Sequence, residues 1–449
     1  MSVAARSLSV LKRDAVLTLT NLATGAIVAR VLGPDILGVW VILQLIPTYA
    51  EAFGRIKADT AAVYYMGRSQ HTIADVVRAL HAIALATSLA ILILVLVRLD
   101  WITTQLFGVT SANVRWYVLL MAAQVPLLFV YMNYTYLFIQ REDFKSYNRM
   151  VLLRAIAGSA LSVTLLLVFH LNLAGVAIGS TFGVVAGAAY GALRFDSGDR
   201  RTAVLNTQVL KDLSAYGVKL YAGGLMGHLN AYVAQAAVVL FLRPAQVAFF
   251  GMAQSQGALL SRLTDALGIV LYPRIAKTAD PNEAALLGAR GFRIALTILT
   301  FTAFAAALFI RPLVLLLYGR AYTPSVAPFL IMLPGLVLSA ASATLTQYFQ
   351  GIGRADLLPK ILIAPVCAQL AGAALLIPPF GVRGAALSFA LAGTTLCAIQ
   401  IALFLRVSGE RFVRVIPGKA DVLEVVRYMR TAYREHLASL WHRTAQVNR

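Results

Sequence analysis

Residues 15–54 read AVLTLTNLATGAIVARVLGPDILGVWVILQLIPTYAEAFG, which is two apolar runs joined by the turn Leu32-Gly33-Pro34-Asp35. Each run is close to the roughly 20 residues that a helix needs to cross a bilayer. A Gly-Pro pair ends one helix and allows the next to begin within a few residues. The stretch therefore predicts a tight pair of membrane-spanning helices.

The same pattern continues to residue 405. Of 449 residues, 59% are hydrophobic and 13% are charged, and the mean hydropathy is +0.76. A soluble domain is about 25% charged, so the fold class predicted is an all-α integral membrane protein of about twelve spans. No cleavable signal peptide is expected, because the basic start leads into a full-length span. The predicted spans are 15–31, 36–54, 76–97, 115–138, 149–170, 173–193, 216–241, 247–270, 292–310, 327–350, 358–379 and 383–405.

Lysine and arginine are distributed unevenly among the predicted loops. The even-numbered loops and the two tails hold 30 of these residues, and the odd-numbered loops with their margins hold 7. Basic residues accumulate on the cytoplasmic side of membrane proteins, so both termini are expected in the cytoplasm. Contact with the anionic cytoplasmic leaflet explains the net charge of +20 without nucleic acid as a partner.

The tail after the last predicted span is amphipathic. Residues 420–441 carry apolar side chains at helical spacing, beginning with Val422, Val426 and Met429, and arginines at other positions. This pattern is typical of an interfacial helix that lies on the membrane. It is equally typical of a basic tail packed on its own helix bundle.

The two halves of the chain resemble each other at a separation near 210 residues. An even number of spans in each half gives the two repeats the same orientation. We therefore predict an N-terminal lobe over 1–193, a cytoplasmic linker over 194–215, a C-terminal lobe over 216–405 and a basic tail over 406–449, with the two six-helix lobes around a central cavity. The matches are Leu32-Gly33-Pro34 with Leu242-Arg243-Pro244, Gln44 with Gln254, Leu106-Phe107-Gly108 with Leu317-Tyr318-Gly319, Pro126 with Pro334, Gln140 with Gln350, and Gly175-Val176-Ala177 with Gly384-Ala385-Ala386.

The first helical pair carries a family resemblance. Residues 29–40, ARVLGPDILGVW, are similar to the opening of the polysaccharide flippases of the multidrug/oligosaccharidyl-lipid/polysaccharide exporter (MOP) superfamily, as are 249–253 and 381–386. The second half departs from the pattern with Arg243-Pro244 in place of Gly-Pro. The resemblance implies an alternating-access flippase of a polyprenyl-pyrophosphate-linked oligosaccharide in the bacterial inner membrane. It also implies membrane lipids and other polysaccharide-assembly membrane proteins as partners.

Charged residues inside the spans are candidates for function, because each costs about 2.5–3.5 kcal/mol to insert at mid-bilayer. Glu51 and Arg55 are four residues apart, and Arg262 and Asp265 are three apart. Each pair is predicted to be either a coupling site or a structural salt bridge that only neutralises buried charge near the cytoplasmic helix ends.

Arg30 and Arg154 have no acid within a helical turn, which makes them candidates for holding a pyrophosphate, with Arg55 as a weaker one. Arginine offers permanently charged, bidentate donors to phosphate oxygens. The alternative is that these side chains reach out to the membrane interface.

Other polar residues of the spans are candidates for contact with sugar hydroxyls. Amides and imidazole can bind a glycan, or can equally form contacts between helices worth about 0.6 kcal/mol each. The glycan candidates are His228, Asn230, Gln235 and Gln254.

Pro126 and Pro334 interrupt corresponding spans and predict either lobe bending or passive kinks.

Two other function classes can be compared with a flippase. A cation-coupled exporter of drugs or small metabolites would share the fold but should carry an unpaired carboxylate in the membrane. A membrane glycosyltransferase or acyltransferase would need a positioned base, and the outer loops offer only Asp35 and Asp100 as acids.

Cys367 and Cys397 lie in apolar runs and predict packing roles. We therefore expect no catalytic residue, metal or cofactor.

Overall fold

The computed structural model describes residues 3–67, 71–107, 112–195, 205–424 and 427, and leaves out the side chains of 3–11, 67, 112, 222–223, 261–263, 265–267 and 269–270. These residues fold into fourteen α-helices, a π-helical turn over Ala50–Gly54 and two 3-10 turns over Arg320–Ser325 and Phe412–Val415. The helices are α1 Val3–Tyr49, α2 Ala58–Gly67, α3 Ile73–Val97, α4 Leu99–Phe107, α5 Ala112–Ala123, α6 Val125–Gln140, α7 Phe144–Leu167, α8 Asn172–Arg194, α9 Thr207–Phe241, α10 Pro244–Lys277, α11 Pro281–Leu317, α12 Val326–Gly351, α13 Leu357–Ile361 and α14 Ile363–Ser408.

Nine helical stretches among the described residues are long and apolar enough to cross a membrane. The predicted all-α, multi-pass class is thereby confirmed. The first stretch, Lys12–Gly54, and the last, Leu357–Ser408, each contain two predicted spans. The eighth predicted span lies in α10, which is not one of the nine. The count of twelve spans stays a prediction.

Two glycines divide the longest helices. Gly33 has φ 72° and ψ 170°, and Gly381 has φ 56° and ψ −130°. Positive φ is readily available to glycine because it has no Cβ. The predicted turn at Gly33-Pro34 is therefore confirmed, and a similar break separates the last two predicted spans.

The chain divides into two compact units. One comprises Met1–Gly251 with Val314–Thr323, and the other comprises Met252–Leu313 with Pro324–Arg449. Within the first unit, α7 and α8 pack so closely that a Cβ at Gly179 would lie 2.4 Å from the backbone nitrogen of Ser162. The same unit has a continuous core between α2, α3, α6 and α9 that includes Ala61, Leu80 and Leu137.

In the second unit, the segment after α14 is tied to α11. The guanidinium of Arg293 donates to both oxygens of Asp421, at 3.1 and 3.0 Å, and to the Arg414 carbonyl at 2.6 Å. Asp421 is 7% exposed, so this ion pair is well buried. Most of the predicted amphipathic helix over 420–441 lies outside the described residues.

Candidate functional site

A cavity of about 490 Å³ lies within the first unit, between the two parts of α1 and helices α6, α7 and α8. Its polar lining consists mostly of neutral hydroxyls and amides. Arg154 is the one charged side chain among the described lining residues. The polar lining residues are Asn21, Thr24, Gln44, Gln124, Tyr131, Arg154, Ser159, Ser162 and Ser180.

Arg154 lies on α7 with its guanidinium 4.6 Å from the centre of the Tyr131 ring. Such a cation–π contact contributes roughly 0.5–2 kcal/mol, but it does not neutralise the charge. Gly187 of α8 makes room for the pair, because a Cβ there would lie 2.7 Å from the Tyr131 ring. No carboxylate forms an ion pair with Arg154 in the described part of the chain. Among the described residues, the cavity therefore presents a positive charge that no ion pair within 4 Å neutralises.

The predicted pair of Glu51 with Arg55 is not formed, and Arg55 pairs with Asp59 instead. The reason is local geometry. Residues 50–54 form a π-helical turn, and Arg55 has an extended backbone with φ −90° and ψ 116°, so the α-helical spacing between Glu51 and Arg55 is lost. Arg55 is 12% exposed and Asp59 is 3% exposed, so this ion pair is buried.

Glu51 lines a second, smaller pocket of about 90 Å³, which we call the Glu51 pocket. Its carboxylate has no ion-pair partner within 4 Å among the described residues, although the charges of Arg55 and Arg154 act on it. The lining residues are Glu51, Ala52, Arg55, Lys57, Asp59, Tyr136, His228 and Tyr232.

Arg30 has partners that its sequence neighbours do not reveal. Its Nε donates to the Leu317 carbonyl at 2.8 Å, and its Nη2 donates to the Leu316 carbonyl. These carbonyls end α11, where the helix dipole favours a positive charge. Arg30 therefore caps a helix, which explains its position without a bound phosphate.

Of the glycan candidates, His228 lies in the Glu51 pocket, with Phe53 and Tyr221 against its ring. Asn230 and Gln235 are half-buried on α9 but line neither cavity described above. Gln254 is half-buried on α10 in the second unit.

The two predicted proline breaks differ. Near Pro126 the helix is interrupted, since α5 ends at Ala123 and α6 begins at Val125. Around Pro334, α12 continues without a break. The side chains of Arg262 and Asp265 lie outside the described part of the chain, so their pairing stays a prediction.

Several site residues were missed at the sequence level. In the sequence, Gln44 stands out only through its match with Gln254, and Asp59 is as far from Arg55 along the chain as Glu51 is. Asn21 and Thr24 share one face of the first span at a spacing of three residues, which was an available signal. Tyr131 gave no signal, because its role depends on a contact between α6 and α7.

Comparison with solved structures shows which known fold this chain shares. The lipid II flippase MurJ, in an inward closed conformation, superposes with a TM-score of 0.73 at 12% identity, covering 97% of this chain and 100% of that one. An inward-facing multidrug resistance MATE family transporter of the MOP superfamily superposes with a TM-score of 0.72 at 16% identity, covering 88% of this chain and 95% of that one. A MOP superfamily transporter from Pyrococcus furiosus superposes with a TM-score of 0.61 at 15% identity, covering 90% of this chain and 95% of that one. The chain therefore has the fold of this superfamily.

The comparison with curated proteins gives no match. The family described as polysaccharide biosynthesis protein matches residues 15–279, which is more than half of the chain. The resemblance found in the first helical pair is thus confirmed at the level of the family. This multi-pass membrane protein belongs to the polysaccharide biosynthesis protein family.

Proposed function

We propose that the protein is a flippase that moves a polyprenyl-pyrophosphate-linked oligosaccharide across the bacterial cytoplasmic membrane. The observation that carries the proposal is the charge of Arg154 in the 490 Å³ cavity, which forms no ion pair among the described residues. Leaving an arginine in the membrane without an anion is costly, and a diphosphate supplies the missing charge. Membership of the polysaccharide biosynthesis family agrees with a glycan as cargo.

The neutral lining of the cavity suits the rest of such a headgroup. The Ser159 hydroxyl and the Gln44 and Gln124 amides can both donate to and accept from sugar hydroxyls. The hydroxyls of Ser162 and Ser180 donate to backbone carbonyls and can accept from a sugar. Gln124 is 4% exposed and is fixed by a contact of its amide nitrogen with the Met121 sulfur at 3.1 Å. A polar group held in place costs little entropy when a ligand binds.

The transport cycle proposed is alternating access between two six-helix repeats, residues 1–193 and 216–405, with both termini in the cytoplasm. Reporter fusions at Asn206 and Gly409 are expected to read cytoplasmic, and a fusion at Asp100 external. An external reading from Gly409 would contradict the even span count.

The test of function is substitution at Arg154, followed by lectin labelling of the lipid-linked glycan at the outer surface of membranes. Arg154→Glu should abolish labelling, and Arg154→Lys should reduce it, because lysine keeps the charge but loses the bidentate geometry. Arg149→Glu is the matched control, since Arg149 is exposed five residues earlier on α7. Folding of each variant is checked by its elution as a monodisperse protein in detergent. Normal flipping by a folded Arg154→Glu protein would refute the proposal.

A cation-coupled exporter of drugs or small metabolites is the second candidate. One observation favours it: Glu51 is released from Arg55 by the Arg55–Asp59 pair and keeps a carboxylate without an ion-pair partner among the described residues. Such a carboxylate could bind a coupling cation. Proton-driven efflux of ethidium from proteoliposomes, lost in Glu51→Gln, would support this function over a flippase.

A further inference from the structure

The Glu51 pocket lies where the chain leaves regular α-helical geometry. The π-helical turn Ala50–Gly54 is followed by Arg55 in an extended conformation and by Lys57 with φ 56°. Single π-helical turns of this kind frequently occur at functional sites. The departure turns the Glu51 carboxylate and Lys57 toward the same small pocket.

The charges in this pocket divide into a satisfied set and a free set. Arg55 is held by Asp59 and lies 5.6 Å from the centre of the Tyr136 ring. Asp59 also accepts from the Thr60 backbone nitrogen at 2.6 Å. Within the described residues, this leaves the Glu51 carboxylate, the Lys57 ammonium, the His228 imidazole and the hydroxyls of Tyr136 and Tyr232 to bind a ligand.

Aromatic rings border these polar groups. Phe53, 37% exposed, lies 6.0 Å from the Tyr232 ring and 6.3 Å from the His228 ring, centre to centre. Tyr221 stacks on His228 at 6.0 Å, and Tyr49 meets Tyr232 at 5.6 Å. Of these rings, those of His228 and Tyr232 line the pocket itself, together with the ring of Tyr136. The pocket thus places aromatic rings beside convergent charged and hydrogen-bonding groups.

We infer that the Glu51 pocket binds the first sugar of the cargo, the one bonded directly to the pyrophosphate. This inference rests on the proposed function. A carboxylate accepts from two sugar hydroxyls and an ammonium donates to a third, while aromatic rings pack against the apolar face of the sugar. The pocket volume of 90 Å³ corresponds to on the order of six water molecules, which suits part of one sugar ring and excludes a whole oligosaccharide.

The position of the pocket matches the connectivity of the cargo. Pro47 lines the larger cavity and Glu51, four residues later, lines the Glu51 pocket; on α6, Tyr131 and Tyr136 line the two cavities in the same order. The proposed phosphate site and the Glu51 pocket are therefore neighbours inside the first unit. The first sugar has to lie next to the pyrophosphate because the two are covalently joined. Sugars farther along the glycan have no such constraint.

The test compares binding of prenyl pyrophosphate with binding of its glucose, galactose, N-acetylglucosamine and N-acetylgalactosamine conjugates to the full chain in nanodiscs. At least one conjugate should bind the wild type about tenfold more tightly than the sugar-free lipid, as expected for one or two well-placed hydrogen bonds. Glu51→Gln and Tyr232→Phe should both remove this preference. Tyr232→Phe should leave the affinity for sugar-free lipid within about twofold, and Glu51→Gln should keep or raise that affinity, because it removes a negative charge near the phosphate site. Both changes keep the shape of the side chain, so packing is retained.

Three further variants separate the roles. Arg154→Gln should weaken both kinds of lipid, because it acts on the pyrophosphate that they share. Glu283→Gln and Tyr272→Phe are matched controls at exposed positions and should bind as the wild type does.

Each outcome decides the inference. A preference retained in Glu51→Gln, or no conjugate preferred by the wild type, overturns the sugar pocket while leaving the proposed flippase intact. Loss of proton-driven ethidium efflux in Glu51→Gln, with the sugar preference unchanged, also overturns the sugar pocket. Binding of neither kind of lipid by the wild type overturns the proposed function, and the sugar pocket with it.

Discussion

Arg55 has an acid four residues away on each side, and the structure selects Asp59 over Glu51. With side chains 12% and 3% exposed, the Arg55–Asp59 pair is buried. Removing one partner of a buried ion pair costs about 3–5 kcal/mol, because it leaves an unpaired buried charge. We expect Asp59→Asn to lower the free energy of unfolding by about 3–5 kcal/mol. Glu51→Gln removes no ion pair and should cost less than about 1 kcal/mol.

Asparagine isolates the effect of charge. Its carbonyl can keep the acceptor position that Asp59 offers to the backbone nitrogen of Thr60, so the shape and this hydrogen bond are retained. The matched control is Asp356→Asn in the exposed pair of Arg354 and Asp356, whose side chains are 50% and 55% exposed. An exposed pair contributes about 0–1 kcal/mol because solvent screens it.

The assay is titration of the purified protein with SDS in mixed micelles, followed by circular dichroism. A double-mutant cycle with Arg55→Gln then measures the coupling of Arg55 to each acid. A large coupling is expected to Asp59 and a small one to Glu51. Equal losses from Asp59→Asn and Glu51→Gln, or a larger coupling to Glu51, would show that the pairing is misassigned.

Two further predictions concern α7 and α8. Gly179→Ala should destabilise by about 1–3 kcal/mol, because the added Cβ would lie 2.2 Å from the Ser162 hydroxyl oxygen. The control is Gly227→Ala on α9, where nothing lies within 4 Å of the new Cβ, and it should stabilise the protein by up to about 1 kcal/mol. If the SDS titration showed that Gly179→Ala stabilises and Gly227→Ala destabilises, the packing of α7 on α8 would be contradicted. Asp143 caps α7 through the Ser146 amide at 3.0 Å; burial acts to raise its pKa, but hydrogen bonds from Ser146 outweigh it and hold the pKa below its ordinary value. The contribution of Asp143 to stability is therefore complete above the unfolded pKa of about 3.9 and is lost as the pH falls through the lower folded pKa. Asp143→Ala should cost about 1 kcal/mol at pH 7 and less in acid. A cost that is unchanged at low pH would count against this cap.

The sequence predicted those features that depend on short stretches of chain. Hydropathy and run length indicated an all-α membrane protein, because a bilayer requires each span to be apolar over about 20 residues whatever its neighbours are. The turn at Gly33 was predicted for a similarly local reason, since Gly-Pro restricts the backbone by itself. The loose motif over 29–40 indicated the family that the longer match to 15–279 confirms.

The tertiary structure decided which charges are satisfied. Counting along a regular helix placed Glu51 beside Arg55, but a π-helical turn and an extended residue shifted the register and gave Arg55 to Asp59. Arg30 and Arg154 looked alike in sequence, each without a neighbouring acid. One caps a helix that ends 287 residues away along the chain, and the other lies over Tyr131 in a cavity. Leu317 and Tyr131 lie 287 and 23 residues away from Arg30 and Arg154 along the chain, so the packing of helices against one another determines these partners.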